Sequence, residues 1–419
     1  MTVSATLAAN EAVAARRAAG QEVLALGFGE AGIPVHPLLS QRLAQAAGRI
    51  AYGPVAGTEE AREAAAGYWT RRGNPTEADQ VLLGPGSKPL LFALQHAIGG
   101  EVVLPQPAWV SYAAQSQLLG REPIRVPVPA GEGGVPDAAL MVAAVREARA
   151  AGRDPRLVVA TLPDNPTGRL ASEASVKALC AAARELDLVI VADEIYRDLM
   201  FKPGAFPSPS RWAPERTVTT TALSKNYALG GWRIGAARFP KNGPDSELGQ
   251  RLQESARSVA SELWSSAPLP MQHAAAYAWS DPAELVDRVA MARRLHGAVA
   301  NAVAEAFAAV GCDVRVPQGG FYVWPEFTPL RAALAERWGV RTSADLARVL
   351  LDEFGIVVIA GDAFGDDPAA LTIRVAVPGI YGESDSERLA ALLSNDPLEM
   401  PWIAESLDGL RDKLKALVA

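Results

Sequence analysis

Primary amines and metal-binding side chains are scarce in this sequence of 419 residues. Only seven of its 40 basic residues are lysines, so chemistry that needs an amine has few candidates. The two cysteines and four histidines form no CxxC or HExxH spacing. These absences exclude a disulfide framework and predict that the protein holds no metal ion.

A basic surplus and a long apolar run are also missing. The formal net charge is −7 and no basic run occurs, which argues against nucleic acid as a partner. No stretch approaches about 18 uninterrupted apolar residues, and the N-terminus lacks the basic start and apolar core of a signal peptide. We therefore expect a cytoplasmic protein that binds no membrane. Its hydrophobic fraction of 49% is typical of a packed enzyme with two or three domains.

Short apolar runs alternate with longer amphipathic segments between about residues 57 and 280. The short runs are rich in Val, Ile, Leu and Thr and predict buried strands at 80–84, 101–105, 156–163, 187–194 and 216–224. The amphipathic segments predict helices at 88–98, 138–152 and 175–186. This alternation predicts crossover units on a largely parallel sheet, and thus a large α/β domain at 45–285.

The pattern changes after about residue 282, where a long helical run precedes short strand-like runs. We expect a smaller α+β domain built from 286–419 together with the N-terminal segment 1–44. The tail beyond residue 397 carries apolar residues at helical spacing, namely Ile403, Leu407, Leu410, Leu414 and Leu417. This stripe predicts an amphipathic helix that packs on the protein's own surface, with membrane or partner binding as the alternatives.

Polar side chains follow the predicted strands at their carboxyl ends, where ligands bind in α/β sheets. Lys225 comes directly after the last of these strands, and burial there would lower its pKa and free an amine for a Schiff base. Arg233, eight residues on, could hold a phosphate through two hydrogen bonds. The alternative is a lysine that reaches water from the strand end and a surface arginine.

Four further strand exits carry informative residues. Asp193 follows so apolar a strand that it needs a cationic partner such as a protonated pyridine nitrogen, and Tyr196 could donate to a phenolic oxygen. Asn165 lies between two prolines in a rigid turn, and Trp109 could stack on a planar ring. Residues 84–87 stand at the mouth of a helix whose N-terminal amides favour a phosphate.

The order of these motifs along the chain is more specific than any one of them. PDNPTG, DEIY and SKNYALGGWRIG follow one another, each at a strand exit. From about Leu26 to about Leu393 the chain resembles the class I/II aminotransferases, fold-type I enzymes that depend on pyridoxal 5′-phosphate (PLP). The resemblance implies a mostly parallel central sheet in a large domain, with a smaller α+β domain beside it.

The resemblance implies roles around the ring of the cofactor. Lys225 looks like the lysine that forms the Schiff base and shuttles a proton, and Asp193 like the partner of the pyridine nitrogen. Asn165 and Tyr196 look like the pair that bonds the phenolic oxygen, and Trp109 like the stacking aromatic. Lys225, Asp193 and Tyr196 are therefore the expected catalytic residues.

The resemblance also implies residues for two anions. The expected phosphate-binding residues are Gly86, Ser87, Lys88, Ser224 and Arg233. Tyr52 resembles the tyrosine that reaches the phosphate from the neighbouring subunit, which implies a homodimer with shared sites. Arg374 resembles the arginine that clamps the substrate α-carboxylate, with Gly29 and Asn165 beside it.

Three positions depart from the common pattern of the family. Ala222 stands where relatives often have Ser or Thr, so a phosphate hydroxyl is either missing or supplied by Thr221. Pro89 follows Lys88 and has no amide hydrogen to donate. The common GEPD reads Gly-Glu-Ala-Gly at 29–32, which alters a loop on the substrate side.

Two interpretations of Lys88 stay open. In the first, it is a solvated loop lysine or pairs with the phosphate. In the second, it meets the distal carboxylate of an acidic substrate, as in some relatives, and the amino donor is then aspartate, glutamate or a similar diacid.

Three functions compete for the chain as a whole. The first is an aminotransferase that moves an amino group between an L-amino acid and a 2-oxo acid by a ping-pong mechanism. The second is another fold-type I PLP enzyme, such as an amino-acid oxidase, lyase, decarboxylase or cyclase, whose lysine and aspartate would look the same. The third is a non-catalytic ligand-sensing module of a transcription regulator, against which the acidic balance of the chain argues.

Overall fold

The helices and strands are those of a computed structural model of the protein, which describes residues 5–202, 204–241 and 247–419. The α-helices in these ranges are α1 (Ala5–Ala18), α2 (Pro37–Ala46), α3 (Glu59–Arg71), α4 (Ser87–Ile98), α5 (Val110–Leu118), α6 (Ala138–Ala150), α7 (Glu173–Glu185), α8 (Leu223–Asn226), α9 (Leu248–Leu263), α10 (Leu269–Trp279), α11 (Ala283–Ala309), α12 (Arg331–Trp338), α13 (Ser343–Phe354), α14 (Asp385–Leu393) and α15 (Pro401–Val418). The strands are β1 (Leu24–Ala25), β2 (Val81–Gly84), β3 (Glu101–Gln106), β4 (Ile124–Pro127), β5 (Pro155–Thr161), β6 (Val189–Asp193), β7 (Thr217–Ala222), β8 (Gly235–Arg238), β9 (Asp313–Val314), β10 (Tyr322–Val323), β11 (Pro325–Glu326), β12 (Ile356–Val357), β13 (Ile359–Ala360) and β14 (Ile373–Ala376).

A seven-stranded sheet forms the centre of the fold, in the order β2-β8-β7-β6-β5-β3-β4. Strands β7, β6, β5, β3 and β4 run parallel, while β8 lies antiparallel to both of its neighbours. The mostly parallel sheet and its five predicted strands are thereby confirmed. The sequence analysis missed β4 and β8. Each strand has only four residues, and β8 reads Gly-Ala-Ala-Arg, so neither gives a clear strand pattern.

Alternate residues of each strand pack against opposite layers of helices, as the two-residue period of a strand requires. On β5, Val158 and Ala160 belong to the apolar cluster that includes α6 and α7. Leu157 and Val159 belong to the cluster that includes α4 and α9. Because helices cover both faces of the sheet, its strands read as largely apolar runs. Burial of each valine or leucine side chain stabilises the folded state by about 1.5–3 kcal/mol.

The N-terminal segment pairs with the C-terminal part of the chain. Strand β1 lies parallel to β12, with Leu24 opposite Ile356. We propose the division into one domain at 45–285 and another built from 1–44 and 286–419, and this pairing supports it.

The tail forms helix α15, and the five apolar residues of the predicted stripe are its buried residues. The indole N–H of Trp402 donates to the carbonyl of Tyr381 at 2.9 Å, which ties the start of this helix to the body of the protein. The indole N–H of Trp338 donates to the carbonyl of Leu417 at 2.9 Å and ties down its end. The prediction of a helix that packs on the protein's own surface is confirmed.

The carboxyl ends of the parallel strands meet at one edge of the sheet, and the segments that leave β3, β5, β6 and β7 there carry most of the predicted site residues. None of the helices in the described ranges combines the length and the apolar character needed to cross a lipid bilayer.

Candidate active site

A cavity of about 300 Å³ lies at this edge of the sheet. Most of the predicted site residues line it, namely Gly29, Ser87, Lys88, Trp109, Asn165, Asp193, Tyr196, Ser224, Lys225, Arg233 and Arg374. Gly86 stands at the N-terminus of α4 beside them. Tyr52 lies apart, with 92% of its surface exposed.

Lys225 projects into the cavity from the short helix α8, which begins directly after β7. Its Nζ donates to the carbonyl oxygen of Gly29 at 2.5 Å. Burial, and next the nearby guanidinium of Arg374, lower the pKa of the amine to about 8. At pH 7 about a tenth of the amine is therefore uncharged, far more than for a lysine of ordinary pKa, and the uncharged form is the one that acts as a nucleophile or a proton acceptor.

Asp193 ends β6 and is 2% exposed. Its carboxylate accepts hydrogen bonds from the hydroxyls of Tyr112 at 2.9 Å and Thr220 at 3.2 Å. Burial raises its pKa to about 6, although these hydrogen bonds favour the charged form. Above that pH the site holds a buried negative charge, which a cationic ring nitrogen would neutralise.

Tyr112 and Thr161 belong to the site, and the sequence analysis missed both. The hydroxyl of Tyr112 lies 2.9 Å from the Thr161 hydroxyl. This hydrogen bond fixes the position of the Tyr112 hydroxyl, which in turn donates to Asp193. The Tyr112 ring also meets Trp109 edge to face, with 5.2 Å between the ring centroids. The spacing of three residues from Trp109, the N-cap of α5, brings Tyr112 to the same side of the helix start, but this spacing alone does not distinguish a site residue from a core aromatic.

Arg374 is a buried cation with an unused donor. From β14, its Nη1 donates to Oδ1 of Asn165 at 3.1 Å and its Nη2 to the carbonyl of Gly27 at 2.7 Å. Its Nε is buried and has no hydrogen-bond partner among the described residues. The guanidinium lies between the rings of Tyr322 and Phe364, at 4.7 and 4.9 Å from their centroids. A carboxylate would satisfy both the charge and the free N–H.

Tyr196 pairs with a second tyrosine at the cavity wall. Its hydroxyl lies 2.8 Å from the hydroxyl of Tyr322. Burial raises the pKa of Tyr196 well above its usual value, so the group stays protonated and can donate a hydrogen bond. The sequence analysis took Tyr322 only as part of a strand, because an aromatic in an apolar run looks like a core residue.

One end of the cavity forms a cradle for an anion. Gly86 has φ of +90° and caps the N-terminus of α4, where backbone N–H groups of the first turn lack helical partners. The positive φ favours glycine here, and a Cβ at Gly86 would come within 2.6 Å of the Arg233 guanidinium and displace the end of that side chain. Ser224 lines the cavity, whereas Thr221 is buried in β7 and does not. The hydroxyl available to the anion is therefore that of Ser224, not that of Thr221.

Lys88 lies on the cavity wall with its Nζ 5.1 Å from the centre of the Trp109 ring. Burial, and next the charge of Arg233, lower its pKa. No carboxylate lies within ion-pair distance of it in the described part of the chain.

Together these residues fit PLP, a planar ring with an aldehyde, a pyridine nitrogen and a phosphate. The amine of Lys225 matches the aldehyde, the buried charge of Asp193 matches the protonated nitrogen, and the cradle at Gly86 and Arg233 matches the phosphate. The Trp109 ring offers a face for stacking.

Comparison with known proteins extends this fit to the whole chain. The family model "Aminotransferase class I and II" matches residues 30–415. An aspartate/prephenate aminotransferase from Thermus thermophilus is 32% identical over 373 residues, covering 87% of this chain and 89% of that protein. A probable aspartate/prephenate aminotransferase from Thermus aquaticus is 33% identical over 346 residues, covering 80% and 86%. The structure of aspartate aminotransferase from Thermus thermophilus with maleate superposes with a TM-score of 0.81 at 28% identity, covering 99% of this chain and 97% of that one.

Proposed function

The chain belongs to the class I and II aminotransferases, and on this premise we propose that its amino donor is a dicarboxylic L-amino acid and its acceptor a 2-oxo acid. Relatives named as aminotransferases do not favour the alternatives of an oxidase, lyase, decarboxylase or cyclase. The observation that carries the choice of donor is Lys88, a cation on the cavity wall with no carboxylate partner among the described residues.

The proposed cofactor is PLP, and four residues would hold three of its groups. Gly86 and Arg233 would hold the phosphate, with the helix dipole of α4 adding to the attraction. Lys225 would hold the aldehyde carbon, and Asp193 the pyridine nitrogen. When bound, PLP withdraws electrons from the substrate Cα and so makes the Cα proton acidic enough to leave.

Asp193 and Tyr196 would orient and polarise the ring. The carboxylate of Asp193 would keep the ring nitrogen protonated, and Tyr112 fixes the direction of that carboxylate through its hydrogen bond of 2.9 Å. The hydroxyl of Tyr196 and the side-chain N–H of Asn165 would each donate a hydrogen bond to the phenolic oxygen. Because both residues are buried, water does not compete for these hydrogen bonds.

Lys225 would move the proton. With a pKa near 8, its Nζ would accept the Cα proton of the substrate and give it up again without a large penalty in either direction. The carbonyl of Gly29 holds the amine on the substrate side of the cavity at 2.5 Å. The same residue thus serves as anchor and as general base.

Arg374 would hold the α-carboxylate of the substrate. Asn165 and the Gly27 carbonyl fix the plane of its guanidinium, and the free Nε supplies an N–H for the carboxylate. The rings of Tyr322 and Phe364 cover its faces and exclude water, which strengthens the ion pair.

Lys88 would hold the second carboxylate of the donor. The cations that line the cavity are Lys88, Lys225, Arg233 and Arg374, and the carboxylates are Glu30 and Asp193. In this assignment Arg233 serves the phosphate and Arg374 the α-carboxylate, so Lys88 is the cation left for a distal carboxylate. The Lys88 amine lies 5.1 Å from the centroid of the Trp109 ring, and this cation–π contact holds it at the cavity wall.

Replacing Lys88 with methionine tests the proposed donor. We expect kcat/KM for L-aspartate and L-glutamate to fall about 10- to 100-fold, because one hydrogen-bonded charge pair with the distal carboxylate is lost. L-Alanine has no distal carboxylate, so its kcat/KM should change little. Steady-state amino transfer to a 2-oxo acid measures this. Lys177→Met, an exposed lysine paired with Glu173, is the matched control and should leave all three values unchanged.

Two results would contradict the donor proposal. If the wild type prefers neutral or basic donors, the dicarboxylic substrate is wrong, and Glu30 at the same cavity becomes the residue to examine. If Lys88→Met lowers kcat/KM equally for aspartate and alanine, the lysine serves the phosphate instead.

Gly29→Ala tests the contact between the N-terminal segment and the cavity wall. A Cβ at this position would collide with the hydroxyl of Tyr322, which is bonded to Tyr196. We expect kcat/KM to fall about 10²-fold, because displacing either group by about 1 Å misplaces the reacting atoms. Gly48→Ala, which faces open space, is the control. Equal rates in the two variants would show that the wall absorbs the extra methyl group without cost.

A homodimer in the cytoplasm completes the proposal. Tyr52 and Ile50 are 92% and 94% exposed, and such large side chains are rarely left in water without a partner surface. The exposure of Tyr52 supports a role in the neighbouring subunit, where it would reach the phosphate.

A further inference from the structure

A second cavity, of about 570 Å³, lies away from the candidate active site. Its walls come from the end of α3, the segment that follows β6, and the first turns of α11. Five arginines and two aspartates are the charged residues among its described lining. A surplus of positive charge in a cavity of a chain with net charge −7 indicates a place for an anion.

Both aspartates are already shared among arginines at the floor of this cavity. Arg72 donates to Asp198 at 2.8 Å and to Asp281 at 2.7 Å. Arg71 donates to the same oxygen of Asp281 at 2.8 Å. Arg197 pairs with a buried glutamate, at 2.8 Å, that does not line the cavity. The carboxylates of the cavity are therefore used, and they leave no charge for further arginines.

Two arginines lack a carboxylate partner and one amide lacks an acceptor in the described part of the chain. Of the arginines, Arg211 is exposed and lies over the Trp212 ring, 5.4 Å from its centroid. Arg211 and Arg293 line the cavity with no carboxylate within ion-pair distance. Asn74 is 5% exposed, and its side-chain nitrogen has no hydrogen-bond acceptor. A buried donor without an acceptor costs free energy, so a ligand with acceptor oxygens would stabilise this arrangement.

Apolar side chains form part of the remaining wall, which also includes Ser208 and Tyr227. Met200, Phe206, Val286 and Val289 line the cavity beside the arginines. An inorganic ion would leave this surface and most of the volume unused. An organic molecule with an anionic head and an apolar body would use both.

We propose that this cavity binds a small organic dianion, either a phosphate monoester or an aromatic dicarboxylate, through Arg211, Arg293 and Asn74. Guanidinium groups bind both chemistries through paired hydrogen bonds. The proposal is independent of the amino donor assigned above, because none of these residues lines the first cavity.

Calorimetric titration of the holoenzyme with phenyl phosphate and with phthalate tests the proposal. We expect one or both to bind to the wild type, and affinity to fall about tenfold or more in Arg211→Gln/Arg293→Gln, since two charge-assisted contacts are lost. Arg257→Gln/Arg348→Gln removes the same charge elsewhere and is the matched control, which should bind as the wild type does. The probe that binds more tightly identifies the chemical class.

The proposal is overturned if neither probe binds, or if the test and control variants bind equally, which would place the anion in the first cavity. Because Arg211 and Arg293 hold no ion pair in the described ranges, their loss should leave the melting temperature and the rate of amino transfer unchanged. Should the double variant unfold, the single variant Arg293→Gln gives the same comparison with a smaller expected loss.

Discussion

Replacing Lys225 with alanine is expected to lower the rate of amino transfer about 10⁴-fold or more, because one change removes both the anchor of the cofactor and the base that moves the Cα proton. No other lysine can substitute. Lys88 is the one other lysine that lines the same cavity in the described chain, and it lies over Trp109 rather than beside Gly29.

The measurement is amino transfer together with the visible absorption of the purified protein incubated with PLP. Wild-type protein should show an absorption band shifted from that of free PLP, and the Lys225→Ala protein should not. Lys177→Ala, on the exposed face of α7, is the matched control and should behave as the wild type. A Lys225→Ala variant that keeps more than a few per cent of the activity would refute the assignment of the base.

Replacing Asp193 with asparagine is expected to lower kcat about 10²- to 10³-fold, the usual cost of losing one preorganised charge in an active site. Asparagine has nearly the same shape and can still accept hydrogen bonds from Tyr112 and Thr220, so the fold should persist. What is lost is the negative charge that, in the proposed function, would keep the ring nitrogen of bound PLP protonated.

Steady-state kcat and the affinity for PLP separate this electronic role from simple cofactor binding. We expect kcat to fall even when PLP is saturating. Asp187→Asn is the matched control, because that aspartate is 94% exposed in its side chain and makes only a surface ion pair. If saturating PLP restores full kcat to the Asp193→Asn enzyme, the residue binds the cofactor without tuning it.

The strand exits of the sheet were predictable from the sequence because one rule covers all of them. A buried parallel strand carries few charged residues, so the first charged residue at or after its end, such as Asp193 or Lys225, marks the edge where ligands bind. The helix of the tail was equally predictable, because five apolar residues at helical spacing are typical of a helix that packs one face against the protein.

The residues that support the first cavity could not be predicted in this way. The hydroxyl of Tyr112 forms a hydrogen bond with Asp193, and the hydroxyl of Tyr322 forms one with Tyr196. Both tyrosines lie in elements where an aromatic side chain normally fills the core. Whether the hydroxyl of such a ring contacts a polar partner depends on how helices and strands far apart in the chain pack together. The periodicity of the sequence does not encode that packing. The arginines of the second cavity are hidden for the same reason, because they come from three segments far apart in the chain.

The N-terminal segment reaches the reacting groups through two backbone carbonyls. Gly27 accepts from Arg374 and Gly29 accepts from Lys225, while β1 fastens the same segment to β12. With Arg374 holding the α-carboxylate as proposed, docking of this segment and binding of substrate would share one guanidinium, and their free energies would be linked. Because such linkage is reciprocal, the change that bound substrate makes in the docking free energy of the N-terminus would equal the change that docking makes in the binding free energy of substrate.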